Sequence, residues 1–400
     1  MALSLVANGP PRSAEDRARN SLLLADYDYG RYPEQITGYN GQNLQTVIER
    51  RYHPAIRVRV GPRGNYKGAI CRLSSGTLLV AACRRINDLG LFGVHIYESR
   101  DQGLNWTEIG ESELLGKEMS LTQLPDESVF MTVESSAFAP DRTRMHHYRS
   151  VDGGRMWESG SIPGPGKPRN VLTEKDGSLL MVRPLGSAYL QGLYASASAT
   201  FEPSPHLELM RSTDAGHSWI ASEGKVDWDN ARFGEVSVTR LSDGRLLAAL
   251  RGHPSGQEGH ANQVTYLTRS ADDGDTWCSP WLMGNAAEVQ VNLLTLHDGR
   301  VLATYTNYHL PFGICAVVSR DDGQTWSYIA PIQLAISADC NTGWPVTAEL
   351  DGDELITSYA ITAYLNEPQD PSGASRNVCE VVRWRLPHDT SSKEGWERHP

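Results

Sequence analysis

The sequence contains no apolar run approaching the ~18 residues that a membrane-spanning helix needs. Its six cysteines (Cys71, Cys83, Cys278, Cys315, Cys340 and Cys379) are scattered, with no paired C-x-x-C spacing. A disulfide framework and a zinc-ligand pattern are both missing, so the six read as small buried hydrophobes. Positive charge is the minority: 37 Lys and Arg stand against 48 Asp and Glu, a formal net charge of -11 with a sequence pI near 5.6. Such a surface repels phosphate backbones and does nothing to attract anionic membranes, so neither nucleic acid nor membrane is expected as a partner. A substrate carboxylate would need a local basic pocket. The opening MALSLVANGPPRS has no basic n-region and only a short apolar stretch. The expected location is therefore cytoplasmic, or secreted if a leader has been trimmed. No histidine spacing matches a helical metal motif, and neither a catalytic metal nor a cofactor is expected.

What is present is turns and short apolar runs. With 37 Gly and 22 Pro, 40% hydrophobic and 21% charged residues, the chain reads as globular and turn-rich. One octet recurs five times: SRDQGLNW from Ser99, SVDGGRMW from Ser150, STDAGHSW from Ser212, SADDGDTW from Ser270 and SRDDGQTW from Ser319. The shared pattern is S-x-D-x-G-x-x-W. A second repeat runs in step with it, as strand, turn and apolar strand, beginning at Cys71, Thr122, Leu172, Thr239, Leu294 and Ala348. Each unit holds two hairpins, which makes a four-stranded antiparallel sheet. Six such sheets of ~50 residues predict an all-β, six-bladed β-propeller, whose closure removes exposed sheet edges. The sixth unit lacks an octet and is short of a strand. NVCEVVRWRLP (Asn377 to Pro387) supplies one outer strand, and AIRVRVGP (Ala55 to Pro62) is placed to supply the other and close the ring. Residues 1–54 read as an irregular lead with short helices near Ser13 to Ala25 and Asn43 to Tyr52. The propeller is assigned to 55–390 and a tail to 391–400.

The octet chemistry is that of a turn. Asp accepts backbone N–H bonds, Gly takes a positive φ, and Trp buries a ring where the chain leaves. Five equivalent catalytic aspartates on one chain make no sense, so Asp101, Asp152, Asp214, Asp272 and Asp321 are read as staples.

These octets resemble the Asp boxes, or BNR repeats, of the sialidase superfamily, over roughly residues 60 to 385. The resemblance implies an active site at one end of a central channel, fed by the inner strands. Eight residues before each unit's turn stand Lys67, Glu118, Pro168, Glu235, Gln290 and Trp344. Seven to ten residues after it stand Arg84, Arg85, Glu134, Arg183, Arg251, Tyr305, Asn307, Tyr308 and Tyr359. Arg169, beside Pro168, joins the substrate-binding group.

Sialidases hold a carboxylate with three arginines and use an Asp as acid/base and a Tyr nucleophile helped by a Glu. FGEVSVTRLSDGRLLAALRG resembles the Glu-then-Arg unit, implying the helper role for Glu235 and an arginine role for Arg251. CRRIND resembles the segment carrying the acid/base Asp, implying Asp88 with Arg84 or Arg85. The chain departs from the family elsewhere. NYKGAI places Lys67 where the first arginine belongs, YHLPFGICAVVS has no third arginine, and NTGWPV offers Trp344 in place of the tyrosine. Lysine cannot make the arginine fork.

Glycoside hydrolysis needs an acid and a base or nucleophile, commonly two carboxylates. Asp88, Glu118, Glu134, Glu235 and Asp339 are the candidates, Glu235 first and Asp88 second. Arg251 and Arg84 would hold an acidic sugar or orient a carboxylate. The expected catalytic set is Glu235, Asp88 and Arg251. The substrate-binding set is Lys67, Arg84, Arg85, Glu118, Glu134, Arg169, His260, Tyr308 and Trp344. The reading is an exo-acting glycoside hydrolase of a glycan, acidic glycans included. Two alternatives stay open. RGHPSGQEGHANQ carries His253 and His260, and TNYHLPF carries Tyr308 and His309, which also suit a polysaccharide lyase abstracting a proton alpha to a uronate carboxylate. A propeller that binds a glycan without turnover is the third. His146, His147 and Tyr148 lead into an octet and read as outer-strand surface.

Overall fold

A computed structural model gives the fold and describes residues 55–86, 92–133, 144–164, 166–167, 169–184, 206–226, 233–252, 262–327, 331–362 and 377–386. Every helix or strand element among them is a strand. The strands form six sheets, five of four strands and one of five, in which neighbours pair antiparallel in sequence order apart from the closing strand and one parallel join. These are the six blades. Their inner strands are Tyr66–Arg72, Ser120–Gln123, Leu172–Thr173, Phe233–Arg240, Glu288–Thr295 and Gly343–Glu349.

The ring closes through the sixth blade. Ile56–Arg59 pairs antiparallel with Asn377–Arg385, from Ile56 opposite Arg383 to Arg59 opposite Glu380. The first described strand is thereby the outermost strand of the last blade, as AIRVRVGP leads one to expect. Blades 3 and 4 share a further stitch: Thr276–Trp277, from the fourth octet, pairs parallel with Lys225 and Val226 of blade 3.

The second strand of each blade is apolar on both faces because it is covered by a blade on either side. Leu179–Pro184 is buried at all six positions. The core is accordingly six layers, one between each pair of neighbouring blades. Two buried layers per blade explain why the strands read as continuous apolar runs.

All five octets lie on one face. In each, the Ser hydroxyl bonds the Asp carboxylate at 2.8 Å and receives the Gly N–H at 2.8–2.9 Å. The glycines at 103, 154, 216, 274 and 323 have φ of 81° to 99°. Trp106, Trp157 and Trp219 each donate their indole N–H back to the octet glycine carbonyl at 2.9–3.0 Å.

Two expectations need correction. Cys278 is exposed, whereas Cys71, Cys83, Cys315 and Cys379 are buried and Cys340 half-buried. Cys278 follows the octet tryptophan, where the chain has already left the core. His147 is buried rather than surface: its ring stacks on Phe130 with centroids 5.0 Å apart, and burial pushes its pKa down to about 4.

Candidate active site

The inner strands begin with a repeated irregularity on the face opposite the octets. In blades 1, 4, 5 and 6 the pairing of inner and second strands shifts register at the head of the strand, between Tyr66 and Ala69, Phe233 and Val236, Val289 and Asn292, and Gly343 and Val346. Such a bulge turns one side chain out of the pleat. Lys67, Glu118, Gln290 and Trp344 pass through left-handed φ of 51°, 57°, 56° and 56°. That conformation costs a non-glycine residue about 1–2 kcal/mol. Four repeats of a strained backbone at one phase are what a built site looks like.

The side chains so delivered meet in a ring around the axis. Lys67 of blade 1 is ion-paired with Glu118 at the head of blade 2. Glu118 is also paired with Lys167, on the segment leading into blade 3. Lys167 Nζ lies 3.1 Å from Glu235 Oε1 of blade 4. Arg251, on the second strand of blade 4, donates to the same oxygen at 2.6 Å, and its Nε and a terminal nitrogen donate to Gln263 Oε1 at 2.9 and 2.6 Å. In blade 5, Gln290 Oε1 accepts from Thr306 Oγ1 at 2.7 Å and from the Trp344 backbone N–H of blade 6 at 3.3 Å. The circle closes on blade 1, where Lys67 Nζ stands 3.9 Å from the Trp344 ring centroid, a cation–π contact. Tyr66 packs edge-on against that indole at 4.9 Å and donates its hydroxyl to Asn341 at 2.7 Å.

The ring is deeply buried: Glu235 is 3% exposed, Arg169 6%, and Lys67 and Glu118 8%. Burial opposes the charge on Glu235, but Lys167, Arg251 and Arg169 together outweigh it and hold the carboxyl below the usual carboxylate range. Burial pulls the Lys167 ammonium well below the ordinary lysine range, against the attraction of Glu235. Tyr308, 2% exposed, has its hydroxyl pushed up by burial. Four buried polar atoms here have no hydrogen-bond partner: Glu118 Oε2, which faces the Lys167 ammonium, Glu235 Oε2, Arg169 Nε and the Trp344 indole nitrogen. A buried orphan is costly unless a ligand or water completes it.

The structure thus brings together Lys67, Glu118, Arg169, Glu235, Arg251, Tyr308 and Trp344 among the residues singled out from sequence. Arg84 points elsewhere. It donates to Asn65 Oδ1 at 2.9 Å and Tyr97 Oη at 3.0 Å, and lies 3.9 Å from Glu108, all within blade 1. Arg85 is exposed at the end of its strand. Asp339 is tied to the Asn341 N–H and the Thr362 hydroxyl at 2.8 and 2.7 Å. Asp88, Glu134, His253 and His260 lie outside the described residues. Lys167 and Gln263 are site residues that the repeat phase does not name. Among the described residues no three His, Cys, Asp or Glu side chains gather as a metal-ligand set.

An open groove lined by His297, Asp298, Arg300, Arg320 and Asp353 lies on the octet face, at the far end of blades 5 and 6. Its charges pair with one another, Arg300 with Asp298 at 2.5 Å and His297 with Asp353 at 3.4 Å. That is a solvated ion-pair patch, unlike the buried axial ring.

A family model described as a BNR repeat-like domain matches residues 189–343. No curated protein matches the sequence significantly. Among solved structures, a protein of unknown function from Dyadobacter fermentans is similar over 84% of this chain and 99% of its own, at a TM-score of 0.62 and 20% identity. An α-L-arabinanase from Penicillium chrysogenum, complexed with arabinobiose, is similar over 82% of this chain and 97% of its own, at 0.57 and 14%. A sialidase from Streptococcus pneumoniae is similar over 82% of this chain and 70% of its own, at 0.55 and 11%. At these identities the likeness is one of fold. Repeat and sheets together make the chain a six-bladed β-propeller with a BNR repeat-like segment.

Proposed function

We propose that the chain is a glycan-active enzyme, a glycoside hydrolase whose reacting carboxylate is Glu235. The observation that carries the reading is the asymmetry of that side chain. One oxygen is fixed by Arg251 and Lys167, while the other is buried without a partner. A carboxylate held ionised and rigid, with one free oxygen, is suited to attack a sugar carbon or to stabilise the positive charge that develops there, while a second group supplies the proton to the departing glycosidic oxygen. Four cations (Lys67, Lys167, Arg169 and Arg251) surround two carboxylates (Glu118 and Glu235). The excess of positive charge sits inside a protein of net charge -11 and favours a glycan bearing an acidic group. The Tyr66 and Trp344 rings offer apolar faces for a sugar's C–H surface. Side chains from all six blades converge on the axis, an arrangement that suits a site taking a chain end, which supports exo action.

One observation favours a second reading. Lys167 is a buried amine whose proton is loosened by burial, a property that suits a base abstracting a proton alpha to a uronate carboxylate. A panel of sialic, uronic and neutral glycosides separates the outcomes. Reducing-sugar release supports the hydrolase, absorbance from an unsaturated uronate supports the lyase, and binding without product overturns both.

A further inference from the structure

Lys167 stands on no strand, yet its position is fixed from both sides. Ahead of it, Arg183, 1% exposed and paired with Glu208 at 2.6 Å, donates to the carbonyls of Pro163 and Gly164, the latter at 3.1 Å. Gly166 lies so close that a Cβ there would sit 2.5 Å from Arg183 Cδ. Behind it, the Arg169 N–H donates to Val236 O at 2.8 Å, and Asn170 both donates to Val238 O at 2.6 Å and accepts its N–H at 3.0 Å. The segment is thus clamped between its own blade and the inner strand that carries Glu235. Its one ammonium lands against two carboxylates from different blades, Glu118 and Glu235.

We propose that Lys167 is a positioning residue that binds the carboxylates of blades 2 and 4 into one unit and keeps Glu235 anionic and correctly placed for reaction. The proposal rests on the reading of Glu235 as the reacting carboxylate. The charged and titratable groups facing Glu235 are Lys167, Arg251, Arg169 and Tyr308, with Glu118 and Lys67 beyond Lys167. Arg251 is committed to Gln263 as well, and Arg169 gives one terminal nitrogen to Pro345 O at 2.9 Å. Lys167 is the cation that spans both carboxylates. Burial alone would protonate Glu235, so loss of this cation should be felt directly in its titration.

The test is the titration of the Glu235 carboxyl carbon by NMR, assigned with Glu235→Gln, in the full chain carrying Lys167→Met, Lys167→Gln or Lys167→Arg. A neutral residue at 167 is expected to raise the proton affinity of Glu235 about ten- to thousand-fold and to move the acid limb of kcat/KM by the same factor. Arg should restore both to within about threefold of the parent. Gln, which can still donate to both carboxylates, stands in if Met does not fold. Proton affinity unchanged within threefold in the neutral variants overturns the proposal. If Arg kills turnover while keeping the titration, Lys167 is the base of a lyase and the positioning role fails. A shifted titration with no turnover on any glycan leaves the coupling standing and removes the functional reading instead.

Discussion

Arg251 and Glu235 face each other across one hairpin of blade 4, with Nη1 2.6 Å from Oε1 and the second carboxylate oxygen left without a donor. Arg251→Ala removes the fork that also holds Gln263 and should cut turnover about 30-fold or more, the equivalent of about 2 kcal/mol for a charged hydrogen bond. Arg251→Lys should recover only part, because a point charge cannot hold two acceptors in one plane. Steady-state kinetics alongside circular dichroism checks both, and an unchanged kcat/KM in the Ala variant contradicts the assignment.

The octets should matter for stability and not for chemistry. Gly323 has φ +81°, and a Cβ there would lie 2.8 Å from Leu247 Cδ2. Gly323→Ala is expected to lose at least about 1–2 kcal/mol from the backbone conformation alone. Turnover per folded molecule should stay at the parent value. Denaturant melts and active-site-normalised rates separate the two effects.

Acid should loosen the same turns. The Asp214 carboxylate accepts from the Ser218 hydroxyl and backbone and from Ser212, which holds its pKa down to about 2. Asp101, Asp152, Asp272 and Asp321 are likewise held below the usual range. A depressed carboxylate stabilises fully above its unfolded pKa of about 3.9, and the contribution is lost as pH falls toward the folded value. Each octet is open to solvent, so the single effect is small. The fall in stability between about pH 4 and 2 should be less steep in Asp214→Asn, measured by urea melts across that window.

Ring closure has its own test. Arg57, 5% exposed on the closing strand, donates through Nε and Nη2 to Leu334 O of blade 5 at 3.2 and 2.8 Å. Arg57→Ala should cost about 1.5–3 kcal/mol and hasten proteolysis of the strand Ile56–Arg59. Cleavage at the parent rate would mean that closure does not depend on this tie.

The blades, their number and the closing strand were legible because the octet and the apolar hairpin repeat in phase. The same phase named five members of the axial ring: Lys67, Glu118, Glu235, Gln290 and Trp344. It failed in blade 3, where the position falls on Pro168 and the regular inner strand shrinks to Leu172–Thr173. There the side chain that joins the ring is Lys167, carried by a segment that tertiary contacts with Arg183 and Val236 hold in place, and no periodicity marks such a segment. Arg84 was misdirected for a simpler reason. Arg251 and Thr306 stand eight residues after Asp243 and Asp298, and both face the axial ring; Arg84 stands nine after Ser75, and side chains one residue apart on a strand face opposite ways.

The most direct measurement is product release by the parent protein and by Glu235→Gln, on the glycan that the parent processes best. Glu235→Gln is expected to lower kcat/KM about 10²–10⁴-fold per folded molecule, the usual weight of a reacting acid–base group, and also to lower the melting temperature, because Lys167 and Arg251 lose their buried counter-charge. Full turnover in that variant would contradict the account and move the chemistry away from the axial ring.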